Sequence, residues 1–327
     1  MTLISTRRVA EGGFETMPAI ETSNLTKVYN RLLPGKSLLA LDGLTMEVPE
    51  GKVFGYLGHN GAGKTTTLKV LLGLTHPTEG SARILGKPLG GSGVHHRIGY
   101  LPESPRFYGY LDASEFLDYS AKFYRMSRGE RQERVSEMLD YVGLAESASR
   151  KLKSFSRGML QRVGLAQAML HDPDLLLLDE PMSGLDPVGR KQVKDLIKRL
   201  CVEEGKTVLF CSHVLSEVEQ VCDVVAILSD GRLVVQDSLD ELLHLQEVVM
   251  TLEGSEEELV EKLRHEGLTV EEKEMGRVTV CAPGEEMAER VRELLSEYDA
   301  ECVRTEHNSE SLEDFFLRTV SGTPAEV

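Results

Sequence analysis

Residues 58–66 read GHNGAGKTT, a GxxxxGK[ST] pattern lying after the apolar stretch Val53–Leu57 and before a helix-forming one. Gly58, Gly61 and Gly63 let the backbone curl until successive amide N–H groups face one point, and the helix start beyond them favours anions. The chemistry this serves is the holding of a phosphate chain. Lys64 sets a cation on its outer phosphates, and Thr65 offers a hydroxyl to Mg2+. Taken alone, His59 and Asn60 are loop filler.

A second pattern, LLLLDEP, spans 175–181. Four leucines form a buried strand that ends in Asp179 and Glu180, and adjacent carboxylates there have few packing reasons to exist. Asp179 suits the Mg2+ shell. Strand alternation sends Glu180 to the other side, where it could orient or deprotonate an attacking water. Two further strand ends point to the same place: KTVLFCSH at Ser212–His213 and RIGYLPE near Glu103. Parallel α/β sheets bind ligands beyond the carboxyl ends of their strands, so His213 is a candidate contact to a terminal phosphate. FSRGMLQR (155–162) opens a helix with Ser156 as N-cap, and Gly158 leaves the first-turn amides accessible to a second anion.

The elements that must carry these groups alternate. Strand-like KVFGYLG, SARIL, RIGYL, KTVLFCSH, DVVAILS and RLVVQ are interleaved with helical stretches at 112–126, 128–142 and from Pro187 to Gly205. This order means a largely parallel α/β core. After about residue 246 the order becomes βαββαβ, with a hairpin turn near Met275–Arg277, which suggests a small ferredoxin-like module and then a last helix, SLEDFFLRTV.

Charge supports the same division. The 327 residues carry −16, of which residues 246–327, with 8 Lys+Arg and 22 Asp+Glu, hold −14. Three segments are expected: a flexible tail 1–17 with Met17 as an alternative start, a domain 18–245, and an acidic α+β module 246–327. An acidic chain is a poor partner for nucleic acid. The longest apolar runs, such as Val224–Leu228, fall far short of the ~18 residues a membrane span needs. Five cysteines, an odd count without a CxxC pair, fit reduced thiols in a cytoplasmic protein.

Together and in order, these motifs resemble the ATP-binding cassette (ABC) family over residues 18–245. In its terms GHNGAGKT is Walker A, FSRGMLQR the signature, LLLLDEP Walker B, SGLD (183–186) the D-loop and Ser212–His213 the switch. The spacing agrees: 115 residues separate Lys64 from Asp179, and Ser156 lies 23 before Asp179. The resemblance implies a P-loop NTPase cassette with a mostly parallel core sheet, a helical signature subdomain and an antiparallel β subdomain. ATP and Mg2+ are the implied cofactors. Nucleotide contacts would come from Tyr29, Gly58, Asn60, Gly61, Ala62, Gly63, Lys64, Thr65, Thr66, Ser156 and Gly158, with Tyr29 stacking on adenine. Metal contacts would come from Thr65, Glu103 and Asp179, and catalysis from Glu180, His213 and Lys64.

Two positions depart from the pattern. The Q-loop glutamine is Glu103, and the second glycine slot of the signature holds Arg157. Both forms, like the tail down to SLEDFFLRT, resemble the branch that serves ABC-2-type exporters. The implied partners are an integral-membrane permease and a second cassette, identical or paralogous, at the cytoplasmic face of the membrane. The aromatic loop SPRFYGYL, with Phe107, Tyr108, Tyr110 and Leu111, is the expected seat of a permease helix. The alternative is a soluble ABC ATPase acting on nucleic acid or ribosomes. It is disfavoured by a single cassette, by the acidic tail, and by only 92 residues between Lys64 and Ser156, too few for a long coiled coil.

Overall fold

The computed structural model describes residues 17–30, 37–243, 247–253, 257–273, 277–283, 285–298, 300–308, 312–313 and 315–316. The expected tail 1–16, the core of the hairpin turn (274–276) and most of the last helix lie outside them.

Along the chain come β1 (Ile20–Asn30), β2 (Ser37–Val48), β3 (Val53–Leu57), α1 (Lys64–Leu71), β4 (Glu79–Ile84), β5 (Lys87–Pro88) and β6 (Ile98–Leu101). The helices α2 (Ala113–Ala121), α3 (Arg128–Tyr141) and α4 (Arg157–Met169) are next. Then come β7 (Leu175–Asp179), α5 (Pro187–Val202), β8 (Thr207–Ser212), α6 (Leu215–Glu219), β9 (Val224–Ser229), β10 (Arg232–Ser238) and α7 (Leu239–Leu243). The tail holds β11 (Glu247–Glu253), α8 (Glu257–His265), β12 (Thr269–Lys273), β13 (Arg277–Pro283), α9 (Glu285–Glu297) and β14 (Glu301–Asn308).

Among the described residues three sheets form, ordered β2-β1-β4-β5, β10-β9-β3-β8-β7-β6 and β12-β13-β11-β14. Two compact units divide the chain. The first holds the described residues up to Phe54, Asn60–Cys211 and Asp230–Leu233; the second holds Gly55–His59, Ser212–Ser229 and the described residues from Val234 onward.

In the first unit, β6, β7 and β8 run parallel, with Ile98 opposite Leu175, Leu175 opposite Thr207, and Asp179 opposite Cys211. Every residue of β7 and β8 is buried, which is why these strands read as unbroken apolar runs rather than alternating ones. Parallel register places their carboxyl ends at one edge. The β1–β2–β4–β5 sheet is antiparallel, with irregular register where Thr22–Val28 meet β2. The helices start where side chains supply acceptors. Asp112 with Glu115, and Ser127 with Glu130, form capping boxes on α2 and α3. Asp186 caps α5, whose first residue is Pro187. The helix expected through residue 126 stops at Ala121, because a 3-10 turn and Arg125 at φ +56° redirect the chain.

In the second unit, β11–β14 and the two helices between them make a ferredoxin-like module whose strand pairs are all antiparallel. Its core gathers Val248, Met250, Leu252, Leu259, Leu263, Val280, Val291 and Leu294. These are the apolar positions of strands with period two and helices with period 3.6.

Gly99 of β6 lets α4 approach closely: a Cβ there would lie 2.3 Å from the Ala168 carbonyl oxygen, which as backbone cannot turn aside. Gly99→Ala is expected to cost about 2–3 kcal/mol in urea unfolding by prising α4 off the strand. A cost near zero would show that the helix is free to shift.

Candidate active site

The loop after β3 is shaped by backbone that favours glycine. Gly61 has φ +92° and Gly63 φ +113°. Gly63 stands at the start of α1 with no side-chain cap, and the first turn carries no acid of its own, which favours an anion at the helix start. Ala62 is fully buried and its carbonyl accepts the Gly231 N–H at 2.9 Å. Thr67 tightens the turn, its N–H donating to Gly63 O at 2.9 Å.

Two pairs then join α1 to the end of β7. Thr65 Oγ1 donates to Asp179 Oδ2 at 3.1 Å. Lys64 Nζ lies 3.8 Å from Glu180 Oε1, with both side chains about nine-tenths buried. Asp179 is 2% exposed and its Oδ1 has no hydrogen-bond partner. Burial is the main cause that raises the Asp179 pKa; Glu180 and Glu103 push it the same way, while Thr65 and Lys64 pull it down. Asp179 in turn helps burial lift Tyr100 to about 12. Burial also drives the Cys211 thiol well above its ordinary value.

The side-chain alternation expected at Glu180 does not carry through. The strand ends at Asp179, and Glu180 takes φ +50°, a conformation uncommon outside glycine. Its N–H still donates to Cys211 O at 3.1 Å and its carbonyl accepts from Ser183 N–H at 3.1 Å. The twist brings both carboxylates toward α1, each to a different side chain.

Of the other expected residues, Asn60 and Glu103 are exposed and Thr66 is half-buried. Tyr29 is half-buried on β1, with the Lys27 ammonium 4.9 Å from its ring centroid. Lys27 also donates to His76 O at 2.7 Å. The only sequence signal for Lys27 was its place two residues before Tyr29, on the same strand face. Ser156 caps α4, accepting the Met159 N–H at 3.2 Å, and Gly158 stands in the first turn. Arg157 packs on Gly184, where a Cβ would fall 2.4 Å from the guanidinium carbon; the glycine of SGLD makes room for the arginine of FSRGM. Gly58, His59 and His213 fall in the second unit, Gly58 buried and the two histidines exposed. Phe107 is half-buried and meets the buried Phe116 edge-on at 5.1 Å, so it serves the interior. The exposed aromatics are Tyr108, Tyr110, Tyr119 and Phe123, linked ring to ring at 5.6–6.1 Å.

A family model described as ABC transporter matches residues 41–183. The ABC transporter ATP-binding protein sll0415 of Synechocystis is 47% identical over 74% of this chain and 70% of its own length. The chain belongs to the ABC transporter family. It is an ATP-binding subunit of that family and an ATPase. The bacitracin transport ATP-binding protein BcrA of Bacillus licheniformis is 34% identical, with 93% of this chain and 97% of the relative aligned. Among solved structures, the ATP-binding cassette MJ0796, a dimer in a post-hydrolysis state bound to ADP and Pi, superposes with TM-score 0.61. It is 28% identical and covers 67% of this chain and 98% of its own. Nothing in these likenesses supports the nucleic-acid alternative. Among the described residues, no helix is long and apolar enough to cross a membrane.

The donor set fits the ligands of an ABC cassette. The orphaned Asp179 Oδ1 beside a threonine hydroxyl suits Mg2+, which is held by few protein groups and completes its shell with water and phosphate oxygens. The open start of α1 and the buried Lys64 suit polyphosphate.

The raised Asp179 pKa fixes a sign. The unfolded carboxyl loses its proton near 3.8, before the folded one, so stability falls as pH rises through that window and stays lowered above it. Asp179→Asn is therefore expected to stabilise the metal-free protein at pH 7 by on the order of 1 kcal/mol while removing ATPase activity. The gain should shrink as pH approaches 3.8 in urea titrations; an equal gain at every pH would refute the electrostatic cause.

Proposed function

We propose that this chain is the motor of an ABC-2-type exporter, and that ATP is split between two cassettes. The observation that carries this reading is the buried set Lys64–Glu180 and Thr65–Asp179 under a glycine-shaped helix start. Lys64 and the amides of Gly61–Thr66, with Gly58 and Asn60, hold the phosphates. Tyr29 stacks on the adenine. Thr65 and Asp179 hold Mg2+, with Glu103 at the shell; when bound, Mg2+ neutralises charge on the outer phosphates. Glu180 aligns water for attack, and His213 contacts the terminal phosphate. Loss of the Lys64 contact to that phosphate returns the ammonium to Glu180.

One chain holds a single Ser156–Gly158 helix start, so the second face of each nucleotide comes from a second cassette, identical or paralogous. The dimeric MJ0796 cassette supports that arrangement. Transport requires a permease and places the chain peripherally at the cytoplasmic face of the membrane. The name of BcrA supports a transport role, and the export direction rests on the resemblance of FSRGM and Glu103 to that branch. The exposed Tyr108–Tyr110 aromatics would receive the permease, while Phe107 holds their loop to Phe116. The domain boundary is proposed near residue 245, and 246–327 is the accessory module.

Glu180→Gln is expected to lower kcat by at least ~100-fold and to hold an ATP-bound dimer in analytical ultracentrifugation. Wild-type turnover in that variant would remove the assigned role. Replacing both Tyr108 and Tyr110 by alanine should leave the ATPase rate of the isolated cassette unchanged and abolish its stimulation by the permease. Retained stimulation would place the docking surface elsewhere.

A further inference from the structure

His213 is exposed and directly follows Ser212, the last residue of β8. The turn that carries it is tied to the helix on its carboxyl side. Ser212, fully buried, accepts the Val214 N–H at 3.0 Å through Oγ and donates to Glu217 Oε2 at 3.4 Å. Glu217 and Val218 of α6 are buried, and α6 lies tight on β3: a Cβ on Gly55 would meet Val218 Cγ1 at 2.6 Å and Cys222 Sγ at 2.8 Å. The placement of the Ser212–Val214 turn is thus inherited from the placement of α6.

At the last residue of α6, the Glu219 carboxylate accepts the backbone N–H of Leu312, 93 residues away in sequence. Residues 312–313 and 315–316 are helical. Leu312 is fully buried and Phe315 is 7% exposed, yet neither belongs to the apolar cluster of the β11–β14 module. Leu312 and Phe315 are therefore buried outside that cluster, and the Leu312 N–H leads to α6.

We propose that Glu219 is a positioning residue: by holding the Leu312 amide it anchors the terminal helical stretch on α6 and so fixes the turn that carries His213. The acidic module would in this way bias the phosphate contact without touching nucleotide. The inference rests on the proposed contact between His213 and the terminal phosphate.

The chain contains no tryptophan, so Phe315→Trp gives a single reporter at a buried site. Its emission should be that of a buried indole, and adding Glu219→Ala should move it toward that of an exposed one. Glu219→Gln keeps an acceptor and should leave it in place. In chains without the reporter, Glu219→Ala should lower kcat roughly fivefold or more with KM for ATP within about twofold, and Glu219→Gln should restore kcat. Removing residues 309–327 should give the same loss, and combining it with Glu219→Ala should add nothing. Hydrogen exchange at Leu312 in the unlabelled chain gives the same test if the tryptophan disturbs folding: exchange should quicken in Glu219→Ala. An unmoved emission and unchanged exchange would overturn the anchor. A freed segment with unchanged kcat would overturn its link to the switch. His213→Ala separates the two readings: if that variant keeps full kcat, the role of His213 fails, while the emission and exchange still report whether the anchor exists.

Discussion

A lysine ammonium and two carboxylates are buried side by side where α1 meets the end of β7. Removing charges from water is expensive unless they are paired, and here one carboxylate oxygen is not. Lys64 and Glu180 lie 3.8 Å apart as an ion pair, and Asp179 Oδ1 has no hydrogen-bond partner. Burial drives Asp179 toward its neutral form. A cation that reached the unpartnered Asp179 oxygen would offset that cost.

The rest of the first unit holds these groups in place. Fully buried parallel strands make the β7 end rigid, and the Asp179–Cys211 register gives Glu180 a neighbouring carbonyl for its amide. That bond helps to hold a left-handed glutamate, a conformation that costs of order 1–3 kcal/mol when the surroundings do not impose it. Gly99 brings the carboxyl end of α4 onto β6, and the signature segment opens the same helix. The arginine that departs from the signature pattern is accommodated in the same way, by the absent side chain of Gly184.

Much of the site was legible in the chain. The glycines of GHNGAGKTT require positive φ at 61 and 63, and both have it. LLLLDEP had to be a buried strand with acids at its end, because leucines without polar alternation need cover on both faces. The βαββαβ order of the tail was readable from its two periods. The aromatic loop was legible only as apolar: that Phe107 turns inward to Phe116 while Tyr108 and Tyr110 stay exposed depends on α2, a separate helix.

The sequence by itself determined local features: the glycine-shaped turn before α1, the buried strand that ends in two acids, and where the capped helices begin. Those are properties of short segments, where neighbouring side chains and backbone torsions act within a few residues. Tertiary structure alone decided that Glu180 leaves the strand alternation, that Lys27 lies against Tyr29, that Arg157 rests on Gly184 and that Glu219 meets Leu312. Each of these depends on groups from different elements arriving within a few ångströms, or on a torsion imposed by such an arrival. No local preference encodes that distance; packing of the whole chain sets it.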